Sequence, residues 1–337
     1  MIFETILLLS TIIIFFINKV FKVKNILVNF TGELHQKFAS HEKIPLTGGF
    51  LIILNFLFLT ENQNIILIFL LAIFILGLIS DLKFLRSATK RFIVQTLIVL
   101  TFVITYDLQL QNTKIIILDK ILTSNFFNYL FVSFCILIVI NGSNFLDGLN
   151  TLTIGYFLLI FCIIFYIENK NYIVIDILSI DKIIYVLVIV FLLNFFNQLY
   201  LGDSGSYLLG FFTSIILLDI YEINSNISPF FIILLLWYPC FETLFSILRK
   251  NIMNKSPLNP DINHLHQIIF YWIKIRFKLG KLNANLISGL FINFYNFIIF
   301  ILSINFISNS QIQILIIMFN IILYIFLYFK LFVNRVK

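Results

Sequence analysis

The chain has 337 residues, is 61% hydrophobic and only 12% charged, and its mean hydropathy is +1.04. A soluble domain carries about 25% charged residues, so a soluble enzyme is excluded and the composition is that of an all-α, polytopic integral membrane protein. The net charge of +7 belongs to loops between apolar runs and is no nucleic-acid footprint.

A membrane-crossing helix needs about 20 apolar residues, fewer if tilted or broken. Eleven segments qualify: 2–18, 48–60, 64–80, 91–106, 126–141, 151–167, 183–198, 206–221, 229–247, 284–305 and 311–330. The first lacks a basic leader region and a small-residue cleavage site, so it reads as a retained span. The stretch 107–125, with Asp107, Lys114 and Asp119, reads as a loop, and 171–180 is too short to cross. The three cysteines lie in or beside apolar runs without metal or disulfide spacing.

The basic residues set the orientation. With the N-terminus outside, only Lys114, Lys120, Lys170 and Lys182 fall in outer loops, and the other nineteen of the 23 Lys and Arg are cytoplasmic. So uneven a split predicts a cytoplasmic C-terminus. The polar stretches 31–49, 80–91, 141–150, 197–206 and 248–267 then share the cytoplasmic face. A transporter is expected to hold its polar groups near the bilayer midplane, in repeated halves. One-sided motifs favour an enzyme at the cytosolic interface, built as one domain over 1–337 with its site on loops 21–47, 81–91, 141–150, 197–206 and 248–283.

Each stretch has a chemical reading and a bland one. In His41-Glu-Lys-Ile-Pro-Leu-Thr-Gly-Gly49, Lys43 stands near a glycine pair, which suits a phosphate; an ordinary basic turn is the alternative. Asp81 ends the third span beside Lys83, Arg86, Lys90 and Arg91, as a base, a metal ligand or a plain helix end; the cations also suit a lipid head group. In Asn141-Gly-Ser-Asn-Phe-Leu-Asp-Gly-Leu-Asn150, Asn141, Asn144 and Asp147 recur every third residue on one helix face. Polar groups at a span end are costly unless they bind a ligand or a neighbouring helix. In Leu201-Gly-Asp-Ser-Gly-Ser206, Asp203 sits between glycines as a cation and phosphate loop would have it, or as a plain turn. The last inner loop carries Glu242, Arg249, Asp261 and the pair His264 and His266, which suit phosphate better than zinc. Residues 267–282 after it read as an amphipathic interfacial helix.

In this order the five motifs resemble the polyprenyl-phosphate N-acetylhexosamine-1-phosphate transferases (glycosyltransferase family 4) over nearly the whole chain. The resemblance implies that a UDP-amino sugar, GlcNAc-like, gives its sugar 1-phosphate to polyprenyl phosphate, in bacteria undecaprenyl phosphate. UMP leaves, and cell-envelope polysaccharide synthesis of the O-antigen kind begins. It implies a multi-pass protein of a bacterial inner membrane, a cytoplasmic site, dependence on Mg²⁺ or Mn²⁺, and no nucleic-acid partner; a homodimer is a further expectation. The expected roles are Asp81 and Asp147 in catalysis, Asp203 and Asn144 on the metal, and Lys43, Asn141, Arg249, His264 and His266 on the substrates. Two departures stand out. The family often has Asp-Asp where this chain has Ser80-Asp81, and His264-Leu-His266-Gln267 differs from the three consecutive histidines of the pentapeptide-transferase branch. That branch and a non-catalytic lipid-linked-sugar transporter are the alternatives.

Overall fold

The computed structural model describes residues 2–29, 43–59, 64–175, 179–254, 256 and 263–336. Their regular secondary structure is all helical apart from one isolated antiparallel bridge, Val28 to Pro45. In chain order the helices are α1 (Ile2–Lys24), α2 (Gly48–Leu59), α3 (Asn64–Asp81), α4 (Ala88–Tyr106), α5 (Ile116–Leu122), α6 (Asn125–Leu146) and α7 (Leu152–Asn169). There follow α8 (Ile180–Phe195), α9 (Gly202–Ile223), α10 (Pro229–Leu235), α11 (Trp237–Ile252), α12 (Leu265–Arg276), α13 (Lys281–Ile304) and α14 (Ser310–Val336).

Each of the eleven apolar segments falls on a helix or, for 229–247, on the pair α10 and α11. Among the described residues eight helices are long and apolar enough to cross a membrane, or nine if the bent pair counts as one span. Helix α2 has only 12 residues and α8 only 16. The 107–125 loop differs from expectation: it holds the short helix α5, anchored by Asn128, whose amide reaches the carbonyls of Leu110 (2.8 Å) and Leu122 (3.0 Å).

Helix α9 is the axis of the bundle, buried on every side between α2, α3 and α6. A helix apolar all round has no solvent or lipid face, and its neighbours must come close. Small residues allow this: a Cβ on Gly77 of α3 would stand 2.4 Å from Ser204 Cα. Ser143 Oγ of α6 reaches the Ser206 carbonyl at 2.6 Å.

The bend of 74° between α10 and α11 has a covalent cause. Pro239 has no N–H to give the carbonyl four residues back, and that carbonyl, Leu235, accepts the Tyr156 hydroxyl instead at 2.8 Å. The bend sends α11 to the end of the bundle where α3 and α6 finish and α9 starts. Helix α12, expected at the interface, packs the apolar face of Ile268, Ile269, Phe270 and Ile273 against α13 and α14.

Candidate active site

Helix α9 begins without a side-chain cap of its own, since Leu201 offers none. The first amides of a helix lack intrahelical partners and form a positive pole. Asp81, the last residue of α3, supplies the cap from outside: Oδ1 accepts the Asp203 N–H at 2.8 Å and Oδ2 the Ser204 N–H at 3.0 Å. Gly202 makes the turn with φ +69°, and a Cβ there would lie 2.7 Å from Asp81 Oδ2. Both its backbone angle and its missing side chain are therefore required.

Capped in this way, α9 projects the Asp203 carboxylate into a set of donors. Its Oδ1 accepts from Asn144 Nδ2 at 2.7 Å. Its Oδ2 accepts from Ser80 Oγ at 2.5 Å and from Arg91 Nη1 at 2.9 Å, and Arg91 also donates to Ser80 Oγ at 2.6 Å. Asp147 follows the end of α6. Burial and the nearby Asp203 charge push its carboxyl up to about 7, against a hydrogen bond from the Gly202 backbone. Asp81, Asn144, Asp147 and Asp203 thus meet at one end of the bundle.

The other expected site residues stand differently. Asn141, one turn before Asn144, gives its amide to the Leu137 carbonyl (2.8 Å) and to Gln95 of α4 (3.3 Å), a helix-to-helix contact. Lys43 is exposed, at the start of a segment laced to the approach to α9: Tyr200 N–H donates to the Pro45 carbonyl, and Gly48 N–H to the Tyr200 carbonyl, both at 2.9 Å. Gly48 and Gly49, read as room for a ligand, serve helix packing instead; a Cβ on Gly49 would stand 2.7 Å from the Gly205 nitrogen. Asp261 and the rest of 257–262 lie outside the described residues.

Arg249, expected on a substrate phosphate, is buried. Its Nη1 donates to the Asn263 carbonyl and, at 2.8 Å, to Tyr328 of α14. In this position it ties the segment after α11 to the bundle. Past it, His264 meets Glu242 at 2.8 Å and lies 5.1 Å from the Phe145 ring. His266 is fully buried, and burial pushes its imidazole down to about 3, so it is neutral. Neither of its nitrogens meets a partner among the described residues. An unmet buried polar group costs about 1–3 kcal/mol, so this ring is a candidate to receive a ligand.

Sequence reasoning gave no role to the asparagines that hold the 141–150 stretch from behind. Asn285 of α13 accepts the Asn150 N–H (2.6 Å), Asn194 of α8 accepts the Thr151 N–H (2.6 Å), and Asn293 donates to the Thr151 carbonyl (2.9 Å). Asn194 is the one carboxamide of α8, whereas α13 carries Asn283, Asn285, Asn293 and Asn296, and carboxamides set into apolar helices were the available signal.

Among the described residues no group of three or more His, Cys, Asp or Glu is arranged as a metal cage. Asp81 is committed to backbone amides, which leaves Asp147 and Asp203 as carboxylates facing one another. Mg²⁺ keeps several waters and binds through one or two carboxylates plus substrate phosphates. The two aspartates, whose mutual repulsion a cation would relieve, fit that donor set.

Residues 64–221 match the sequence model of Glycosyl transferase family 4. That range contains Ser80, Asp81, Arg91, Asn144, Asp147 and Asp203. The chain is 28% identical over 239 residues to the "Probable undecaprenyl-phosphate N-acetylglucosaminyl 1-phosphate transferase" of Bacillus subtilis, covering 67% of this chain and 66%, just under two thirds, of the relative. It is 26% identical over 299 residues to the "Undecaprenyl-phosphate alpha-N-acetylglucosaminyl 1-phosphate transferase" of Thermotoga maritima (85% and 87% covered). To the protein of the same name in Salmonella typhi it is 23% identical over 301 residues (85% and 81%). With the motifs in family order and the carboxylates gathered at one helix end, the chain is similar, through residues 64–221, to glycosyl transferase family 4.

Proposed function

We propose that this protein transfers N-acetylglucosamine 1-phosphate from UDP-N-acetylglucosamine to undecaprenyl phosphate and releases UMP. The observation that carries the proposal is the Asp203 carboxylate, aimed by the Asp81 cap into Asn144, Ser80 and Arg91 beside Asp147. The names of the relatives support the lipid acceptor and the amino-sugar donor. In the reaction a lipid-phosphate oxygen bonds to the β-phosphorus of the donor, and the bond from that phosphorus to the oxygen bridging it to UMP breaks.

Two anions must meet, so the barrier is largely one of placement and charge. A divalent cation held by Asp203 and Asp147, with Asn144 beside them, would neutralise the donor diphosphate and stabilise the leaving UMP. Arg91 adds a fixed positive charge 2.9 Å from Asp203. The acceptor phosphate, with a second pKa near 6, is already mostly ionised at neutral pH, so a strong base adds little. Asp147, pushed up to about 7 while no cation offsets the Asp203 charge, would be held ionised by a cation shared with Asp203, so its part is charge and placement rather than proton transfer. Asp81 acts by holding α9 rather than by proton transfer. Serine at position 80 still donates to Asp203, so the missing second carboxylate leaves Asp203 anchored.

The topology that goes with this function has eleven crossings, with the N-terminus outside and the site on the cytoplasmic side of a bacterial inner membrane. It is supported by the asymmetry of Lys and Arg. UMP release by purified protein, with undecaprenyl phosphate, Mg²⁺ and a panel of UDP-sugars, tests the proposal. Release only when lipid, cation and UDP-N-acetylglucosamine are all present is the expected result. Lipid-independent release, or none with any UDP-sugar, contradicts it.

A further inference from the structure

Glu242 lies on α11 with its side chain 1% exposed, and Oε1 stands 2.8 Å from His264 Nδ1. A carboxylate oxygen only accepts, so Nδ1 carries the proton. That fixes the tautomer and orientation of the His264 ring and makes Nε2 its remaining functional nitrogen. The ring stacks on His266, with centroids 5.5 Å apart and planes 13° apart. His266 Nε2 in turn lies 3.2 Å from where a Cβ on Gly148 would stand, so a side chain at 148 would crowd that nitrogen. Gly148 directly follows Asp147. The stretch 144–148 therefore touches the Asp203 carboxylate through Asn144 and the histidine stack through Phe145 and Gly148.

We propose that Glu242 is a positioning residue for donor binding. Its buried carboxylate locks His264, and through the stack His266, so that their remaining ring nitrogens meet the phosphate oxygens of the nucleotide sugar across the 144–148 turn from Asp203. The inference rests on the transferase reading above. It makes sense of a fully buried imidazole with neither nitrogen partnered and of a carboxylate buried beside histidines and tyrosines. Glu242 touches no substrate itself. A neutral His266 serves as an N–H donor rather than as a charge.

The test uses the full chain in nanodiscs. UDP-N-acetylglucosamine binding is read by calorimetry without lipid phosphate, alongside KM for each substrate, kcat and the melting temperature. Glu242→Gln is expected to weaken donor binding and raise donor KM by about tenfold or more, with lipid-phosphate KM nearly unchanged. Glu242→Asp is expected to recover part of the loss. His264→Asn keeps an amide N–H near the Nδ1 position for Glu242 but lacks Nε2. It should bind the donor as poorly as Glu242→Gln while melting like wild type, and it keeps the test decisive if Glu242→Gln does not fold. Wild-type donor binding in His264→Asn overturns the proposal, as does an equal rise of both KM values together with a lower melting temperature in Glu242→Gln. Variants that behave normally in an active enzyme sink this inference alone, whereas a wild type that binds no UDP-sugar and releases no UMP sinks the transferase reading with it.

Discussion

Asp81 on α3 holds Asp203 on α9 by its backbone rather than its side chain, with the Asp203 N–H 2.8 Å from Asp81 Oδ1. One kind of side chain thus does two jobs in the site: Asp81 fixes a helix end, and Asp203 faces the donors that helix brings it to.

If Asp81 is a cap, Asp81→Asn should cost stability as well as activity. The carboxamide keeps one acceptor but sets an NH₂ against the second amide and removes the negative charge at the helix pole. A loss of about 1–2 kcal/mol is expected, read as a lower melting temperature, together with a large fall in UMP release. A chemical base would lose turnover with its melting temperature unchanged.

Gly202→Ala should be among the most damaging glycine changes. It forces a left-handed alanine, at about 1–2 kcal/mol, and drives a methyl into the Asp81 carboxylate, 2.7 Å away. Gly280→Ala is the control, since nothing lies within 4 Å of its Cβ position. Thermal unfolding of the two variants checks this, and a Gly202→Ala protein as stable as Gly280→Ala would contradict it.

Arg91 donates from one nitrogen to both Ser80 and Asp203. Lysine keeps the charge but not the guanidinium geometry. Arg91→Lys should therefore fall between wild type and Arg91→Ala in kcat/KM, with Arg91→Ala losing about 10–100-fold, or roughly 1.4–2.8 kcal/mol of transition-state stabilisation.

Asp147 has a raised carboxyl, about 7 when folded, against an ordinary value near 4. Below about pH 4 it is protonated in folded and unfolded chains alike and costs nothing. As pH rises toward about 7 the unfolded chain ionises first, and the native state loses stability relative to it. Asp147→Asn lacks this penalty. In a chelator it should melt a few degrees above wild type at pH 8, with the difference shrinking toward pH 5, while its UMP release is lost. A difference that does not change with pH would contradict the assignment.

The carboxylates and Asn144 were legible in the sequence because an ionisable or amide group where an apolar run ends has few bland explanations. The spans were legible for the complementary reason, that runs of Ile, Leu and Phe need burial or lipid. Partners were not legible. Asp81 reads the same as a base or as a cap until the start of α9 is seen beside it. Arg249 reads as a phosphate ligand until Tyr328, 79 residues later, is found against it. Gly48 and Gly49 read as ligand space, but the backbone they admit is that of α9. The bend after α10 was written in Pro239, yet whether a proline kinks a span or ends it depends on what satisfies the freed carbonyl, and here that is a tyrosine on α7.

The most direct test of the account is UMP release by Asp203→Ala beside wild type, at matched folded protein and across an Mg²⁺ titration. The account predicts that the variant, correctly inserted and melting near wild type, releases no UMP above background at any Mg²⁺ concentration. Turnover by the variant at low Mg²⁺, comparable to wild type, would remove Asp203 from the centre of the site and contradict the account.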